Sequence, residues 1–424
     1  MTEPDLVREP KPPTPPATEA SRSDAASAMP LARIFAALVL VGLALRPQVL
    51  VIGPLLGDIK ADLGMSHAIA GLLGSIPVVC MGLLAPLGPV LAASIGPRLG
   101  AALCVALVVG FGVLRAATPD TATALLTTVG IGVGMAVVGP ILAMVVRQRT
   151  PGHPAAGTGA YVVGLVIGAS TTAAAAVPLA NALDGWRGAV AAISAAGLLS
   201  LVGWLALMPG DKGLVRARPK LPRLPWRRGS AWLLGIIFGT QSILFYGAIT
   251  WLPSLYQERG WAATDAATLV AIFTGIGLIA TLAVPAFADR LGTRRTQLAS
   301  AGVITIFGAV LIALTPNEPS GSVVSMGATA LLGFGVGLYF PLGLTLPVDV
   351  SADADEAASI SALMLLAGYL IASVAPVLFG TIRDMTGGFD GVVIGFVVVA
   401  VLMVPLPLLL RTERIAGRAG QAGP

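Results

Sequence analysis

The chain has 424 residues, of which 56% are hydrophobic and only 11% charged, with a mean hydropathy of +0.88. A soluble domain carries roughly 25% charged residues, so a soluble enzyme is excluded, and the long Leu, Val, Ala and Ile runs exclude disorder or a fibrous repeat. The composition leaves a polytopic membrane protein, and the net charge of +5 has to be explained in those terms.

Residues 1–30 are polar and proline-rich, cannot bury apolar surface, and are expected to be a disordered cytoplasmic tail. The first apolar run begins only at Ile34, so no signal peptide is expected and the first span acts as the insertion signal. A bilayer helix needs about 20 apolar residues. The runs here are continuous and do not alternate in ten-residue pieces, which predicts helices and not barrel strands. The predicted spans are 34–57, 67–94, 98–117, 121–146, 156–182, 187–208, 230–253, 264–288, 296–315, 322–348, 357–382 and 388–410. Their number is even, which puts both termini on one side.

Basic residues are retained in cytoplasmic loops. With the N-terminus inside, twenty of the 26 lysines and arginines fall in inner segments and five, Lys60, Arg115, Arg187, Arg259 and Arg383, in outer loops, leaving Arg46 in the membrane. The charge is therefore topogenic, with anionic lipid headgroups as its natural neighbours and no nucleic acid implied. The expected location is the inner, or plasma, membrane, with both termini cytoplasmic. Cys80 and Cys104 lie inside apolar runs and read as packing residues, with neither a disulfide nor a metal site.

Residues 209–229, with seven basic residues and four prolines, form a cytoplasmic linker. It divides the chain into six-helix bundles over 31–208 and 230–411, with a tail at 412–424. A duplication should mark both halves, and three marks appear. The loop Pro89-Val-Leu-Ala-Ala-Ser-Ile-Gly96-Pro-Arg98 is matched by Pro285-Ala-Phe-Ala-Asp289-Arg290-Leu-Gly292-Thr-Arg294-Arg295. Gly130, Gly132 and Gly134 in span 4 are matched by Gly333, Gly335 and Gly337 in span 10, and Pro54 by Pro253.

The second loop resembles the signature of the major facilitator superfamily, Gly-x-Leu-Ala-Asp-Arg-x-Gly-Arg-Arg, which stands between spans 2 and 3 and, weaker, between 8 and 9. Here the strengths are inverted, with Ala93 where the second copy has Asp289, and Pro285 at the opening glycine. The expected conformational gate is Asp289, Arg290, Gly292 and Arg294: the glycine for a tight reversal, the acid beside a helix end, the arginines holding cytoplasmic ends together. A narrower resemblance, to the cyanate and 2-nitroimidazole transporter branch, rests on Leu45-Arg46-Pro47, Gly53-Pro54-Leu55-Leu56, Asp184-Gly185-Trp186-Arg187, Gln241 to Tyr246, Trp251-Leu-Pro253 and Gly368-Tyr369 with Pro376 and Gly380. Span 4 departs from it, reading Val138-Gly139-Pro140-Ile141 where the branch usually has an asparagine ahead of a Leu-Leu-Pro run. The resemblance implies an all-α polytopic fold of twelve transmembrane helices in a 6+6 arrangement, and a secondary transporter for cyanate-like or nitroimidazole-like solutes.

Arg46 is the most informative residue. It lies near the middle of span 1, where an arginine costs roughly 2.5–3.5 kcal/mol on insertion scales. No Asp or Glu lies well inside any predicted span, Asp58 and Asp349 standing just past span ends. The two explanations are a structural arginine satisfied near Pro47 and a guanidinium that grips a bound anion in fork geometry; the missing counter-ion favours the second. Gln241 and Tyr246, on span 7, are expected to face Arg46 as hydrogen-bond donors or else to join helices. Tyr369 and Tyr339 are further candidates for the substrate site, with packing as the alternative. Gln48, two residues from Arg46, belongs on another helix face. Trp186 and Trp251 suit an interfacial aromatic belt.

Gly53/Gly57, Gly164/Gly168 and Gly235/Gly239 have the spacing that lets helices approach closely. His67 and His153 lie at membrane ends, which disfavours a midplane histidine relay. No hydrolase, metalloprotease or phosphate-loop motif is present, so neither enzyme activity, a cofactor nor ATP drive is expected. A drug/proton antiporter of the same superfamily is the second reading, disfavoured because span 5 lacks that group's Gly-Pro-x-x-Gly-Gly run. Protons are a candidate coupling ion, facilitated diffusion is equally compatible, and a monomer is expected.

Overall fold

The computed structural model describes residues 31–211, 223–287 and 293–410. Among them the chain is helical throughout, with no strand, and twelve helices are long and apolar enough to cross a membrane. They are α1 (Leu31–Leu45), α2 (His67–Leu84), α3 (Pro97–Ala116), α4 (Thr121–Arg149), α5 (Pro154–Ala182), α6 (Trp186–Leu207), α7 (Gly229–Glu258), α8 (Ala263–Phe287), α9 (Arg294–Leu314), α10 (Val323–Val350), α11 (Ala354–Thr386) and α12 (Asp390–Leu402). The protein is thus a multi-pass membrane protein, and each predicted span overlaps one of these helices. Leu31 and Leu410 lie on one face of the bundle, called the terminal face below.

Three helices are interrupted where sequence reading made them continuous. α1 breaks at Arg46 and resumes as Pro47–Leu50 and then Ile52–Leu63. Pro47 has no N–H to give the carbonyl four residues back and crowds that turn, which is why the break falls beside Arg46. α2 ends at Leu84 and, past Pro86, continues as Leu87–Ile95, while α12 is followed by the short turn Pro405–Leu408.

Glycines set the helix contacts, and they do so twice. A Cβ on Gly164 or Gly168 of α5 would stand 2.2 or 2.5 Å from the carbonyls of Val39 and Leu43 of α1, so these two helices touch backbone to backbone. The equivalent contact joins α7 and α11, where Gly235 and Gly239 face Ala367 and Ile371. In α4, Gly132 faces Cys80 of α2 and Gly134 faces Cys104 of α3; in α10, Gly333 faces Phe273 of α8 and Gly335 faces Thr305 of α9. Both cysteines are free and buried.

Helices from the first six spans meet those from the last six along α2–α11, α5–α8 and the contact of Ile52–Leu63, the continuation of α1, with α7. A Cβ on Gly53 would stand 2.1 Å from the Ile249 carbonyl, and one on Gly71 2.4 Å from that of Pro376.

Several surroundings differ from the sequence expectation. Arg115 is not in a loop: it is 2% exposed near the end of α3, donating to the Gln48 carbonyl at 2.6 Å. Trp186 and Trp251 are not an interfacial belt. Both are buried, with Trp186 Nε1 donating to Asp62 at 3.0 Å and Trp251 Nε1 to the Pro376 carbonyl at 2.9 Å. The acid missing from the first signature loop is supplied from further along the chain. Asp211 accepts from the Arg98 N–H at 3.0 Å and pairs with Arg149 at 3.2 Å, tying α3 and α4 to the segment after α6.

Candidate functional site

The break in α1 sets Arg46 between the two sets of helices. Its guanidinium carbon lies 5.4 Å from the centre of the Phe245 ring of α7, a cation–π contact across the bundle. No carboxylate pairs with it among the described residues, and Nη1 is buried without a hydrogen-bond partner. An unsatisfied charged donor at that depth is expensive, so the geometry does not supply the structural partner that the first explanation of Arg46 required.

Tyr161 of α5 and Tyr369 of α11 stand near it, and Tyr246 follows Phe245 on α7. Arg46, Tyr161, Phe245 and Tyr369 are each partly buried. The Tyr246 hydroxyl spends its proton weakly, on Met81 Sδ of α2 at 3.7 Å. Phe245 sits edge-on to Tyr246 at 5.2 Å, and Phe238 edge-on to Tyr369 at 5.2 Å, completing an aromatic wall.

The structure therefore brings together Arg46, Tyr246 and Tyr369 of the expected site and adds Tyr161 and Phe245. It does not bring Gln241 or Tyr339 to them. Gln241 is buried, donating to the Val336 carbonyl of α10 at 3.4 Å and accepting from Ser242 at 3.1 Å, which is the helix-joining alternative. Tyr339 is 1% exposed and gives its hydroxyl proton to the Met403 carbonyl at 3.3 Å. Tyr161 was not singled out because a lone tyrosine in an apolar span carries no signal until its helix is docked on α1.

A second constellation joins the end of α11 to the start of α2. Asp384, near the end of α11, caps the start of α2: Oδ1 accepts from the His67 N–H at 3.2 Å and lies 2.6 Å from His67 Nδ1, while Oδ2 accepts from the Ala68 N–H at 2.9 Å. Lys60 Nζ stands 2.6 Å from His67 Nε2, so a neutral imidazole donating from Nδ1 and accepting at Nε2 satisfies both neighbours. Burial holds Lys60 below its ordinary pKa, against the opposing pull of Asp384. Arg383 pairs with Glu258 at 2.7 Å beside this cluster, and the rings of Trp251 and Phe389 pack on the imidazole. Of the gate expected on the terminal face, Asp289, Arg290 and Gly292 lie outside the described residues; Arg294 stands 4.0 Å from Asp349 of α10 and 3.3 Å from Gln297.

The family model for the Major Facilitator Superfamily matches residues 34–376. The chain belongs to the major facilitator superfamily. Its named relatives are transporters and not enzymes. The cyanate transport protein CynX of Escherichia coli (strain K12) is 30% identical over 364 residues, covering 83% of this chain and 90% of the relative. The 2-nitroimidazole transporter of the same organism is 28% identical over 374 residues, covering 87% and 93%. The uncharacterized transporter YycB of Bacillus subtilis (strain 168) is 28% identical over 390 residues, 91% of each chain. Among solved structures, a bacterial homolog of the human lysosomal transporter Spinster, inward-facing and occupied, superposes with a TM-score of 0.72 at 17% identity, covering 89% of this chain and 96% of its own. The D-xylose-proton symporter gives 0.69 at 16% identity, covering 88% and 97%. At such identities these two speak for the fold alone.

Proposed function

We propose that this transporter carries a small, flat, singly charged anion or polar nitrogen compound, cyanate-like or nitroimidazole-like, by alternating access, with Arg46 as the charged group of the central site. The observation that carries the reading is the buried Arg46 Nη1 with no protein partner. A guanidinium carried 5.4 Å from the centre of the Phe245 ring can offer its paired donors to a carboxylate-like, cyanate or nitro group, and Tyr161, Tyr246 and Tyr369 add hydroxyl donors. One arginine suits one negative charge. The names of the two Escherichia coli relatives agree with solutes of this kind.

The two six-helix bundles, 31–208 and 230–411, move against each other about this site. The small-residue contacts of the α1 continuation with α7 and of α2 with α11, with the Asp384–His67 bridge, hold the face opposite the termini shut. On the terminal face the loop of Asp289, Arg290 and Gly292, with Arg294, is the corresponding gate. The basic residues of that face make it the cytoplasmic side of the inner membrane.

Uptake of a panel of small anions and cationic dyes into proteoliposomes, with and without a pH gradient, tests the reading. Arg46→Ala is expected to abolish uptake of the transported anion, and Arg46→Lys to raise its KM about ten- to hundred-fold by losing the fork, a charge-assisted bond being worth roughly 1.5–3 kcal/mol. Movement of cationic dyes but no anions would overturn the proposal in favour of a drug/proton antiporter, as would wild-type uptake in both variants.

A further inference from the structure

Arg115 is a second guanidinium inside the bundle with no carboxylate partner among the described residues, and it bonds to the same interrupted segment that Arg46 precedes. Its Nη2 donates to the Gln48 carbonyl at 2.6 Å and to Gln48 Oε1 at 3.1 Å. The Gln48 amide in turn donates to Ser194 Oγ of α6 at 2.9 Å, whose hydroxyl donates to the Val190 carbonyl at 2.6 Å. Room for Gln48 is made by Gly112 of α3, where a Cβ would stand 2.6 Å from the Gln48 side chain. The broken segment of α1 is thus held from α3 and α6 by its second residue, and Arg46 stands two residues away with its own Nη1 unpartnered.

We infer that Arg115 is a positioning residue for Arg46: by gripping both the backbone and the side chain of Gln48 it fixes the broken turn that aims the Arg46 guanidinium into the central site. The inference rests on the proposed role of Arg46 in binding the transported anion. Three features point beyond packing. A packing role needs neither a cation nor two bonds to one residue; a hydrophobic side chain would fill the same place more cheaply. The grip falls on the interrupted segment, where helix geometry alone does not fix direction. The clamp also comes entirely from α3 and α6, so the central arginine rides rigidly with α1, α3 and α6 while Phe245 and Tyr369 belong to the last six spans.

The test is the paired swap Gln48→Met with Arg115→Met, which removes both side chains of the clamp together and leaves the carbonyl of residue 48 and Ser194 Oγ each short of one donor. Two measurements are made. In proteoliposomes, the KM for radiolabelled cyanate is expected to rise about ten- to hundred-fold, with Vmax per folded transporter within about two-fold of wild type. Arg115→Lys, which keeps one bond to the Gln48 carbonyl, recovers part of the loss. In detergent, a Phe245→Trp reporter reads the guanidinium directly: Arg46→Ala sets the emission of an indole without its cation, and the paired swap is expected to move the emission toward that value. Unchanged emission in the swap overturns the inference whatever the substrate, as does an unchanged KM where Arg46→Ala abolishes cyanate uptake. If Arg46→Ala leaves uptake intact, the reading of the central site fails instead, and the emission still decides whether Arg115 positions Arg46.

Discussion

Gly53→Ala gives the sharpest test of how this molecule closes. The added methyl would stand 2.1 Å from the Ile249 carbonyl oxygen and 3.3 Å from its carbon, where ordinary contact begins at 3.4 Å. The two helices must part there by about 1 Å, and overpacking of this size costs roughly 1–3 kcal/mol. Because the continuation of α1 and α7 belong to different sets of six spans, the strain can be relieved by rocking open instead of unfolding. Since about 1.4 kcal/mol is a tenfold change in an equilibrium constant, the population closed at the face away from the termini should fall about 5- to 100-fold relative to the open one. The assay is the rate at which a membrane-impermeant maleimide, added from that face, labels a Met81→Cys reporter in a background lacking Cys80 and Cys104. Gly164→Ala is the control. Its methyl would stand 2.2 Å from the Val39 carbonyl, but both helices lie in the first six spans, so the same strain has only unfolding as an outlet and should lower the melting temperature without raising labelling. If Gly53→Ala leaves labelling at the parental rate and melts early like the control, the contact is a fixed part of the fold and not a moving interface.

Asp384→Asn removes the charge that receives the His67 and Ala68 N–H groups; with charge-assisted bonds worth roughly 1.5–3 kcal/mol, maleimide labelling of the same reporter should rise about tenfold or more, and an unchanged rate would show that the bridge does not hold the face shut. Tyr161→Phe and Tyr369→Phe each delete a hydroxyl donor and should raise the KM for the transported anion about 3- to 10-fold. Tyr339→Phe should leave KM alone and lower thermal stability by about 1 kcal/mol through the bond to Met403; the opposite ranking in an uptake series would relocate the site toward α10. Asp211→Ala strands the Arg98 N–H and takes the carboxylate from Arg149, which keeps its bond to the Gly210 carbonyl, and should cost about 1–3 kcal/mol in thermal unfolding with no change in KM.

The helices and their pairing were legible because apolar length and glycine position are local signals. The trio at Gly130, Gly132 and Gly134 and its copy at Gly333, Gly335 and Gly337 mark the two helices that pack against α2 and α3 in one case and α8 and α9 in the other. Arg46 was legible for a different reason: a charge in mid-span is too expensive to be incidental. Its companions were legible only in part, Tyr246 and Tyr369 as candidates and Tyr161 not at all. Tyr161 and Tyr369 resemble Tyr339 in the sequence, each a single hydroxyl in an apolar run, and only docking shows which hydroxyls face the guanidinium and which finds a carbonyl. Arg115 reads as a loop cation until α3 is seen to end against Gln48.

Sequence alone determined a twelve-span helical membrane protein with an arginine in mid-span, because burial in lipid demands continuous apolar helices and penalises each stray charge, while the resemblance to a transporter superfamily rested on its signature residues. Tertiary structure decided what each polar side chain does. Asp384 and His67 are 317 residues apart and Gln48 and Ser194 are 146 apart. Each pairing depends on how whole helices cross, and that angle and register are set by the sum of glycine contacts along both helices, which no short stretch of sequence encodes.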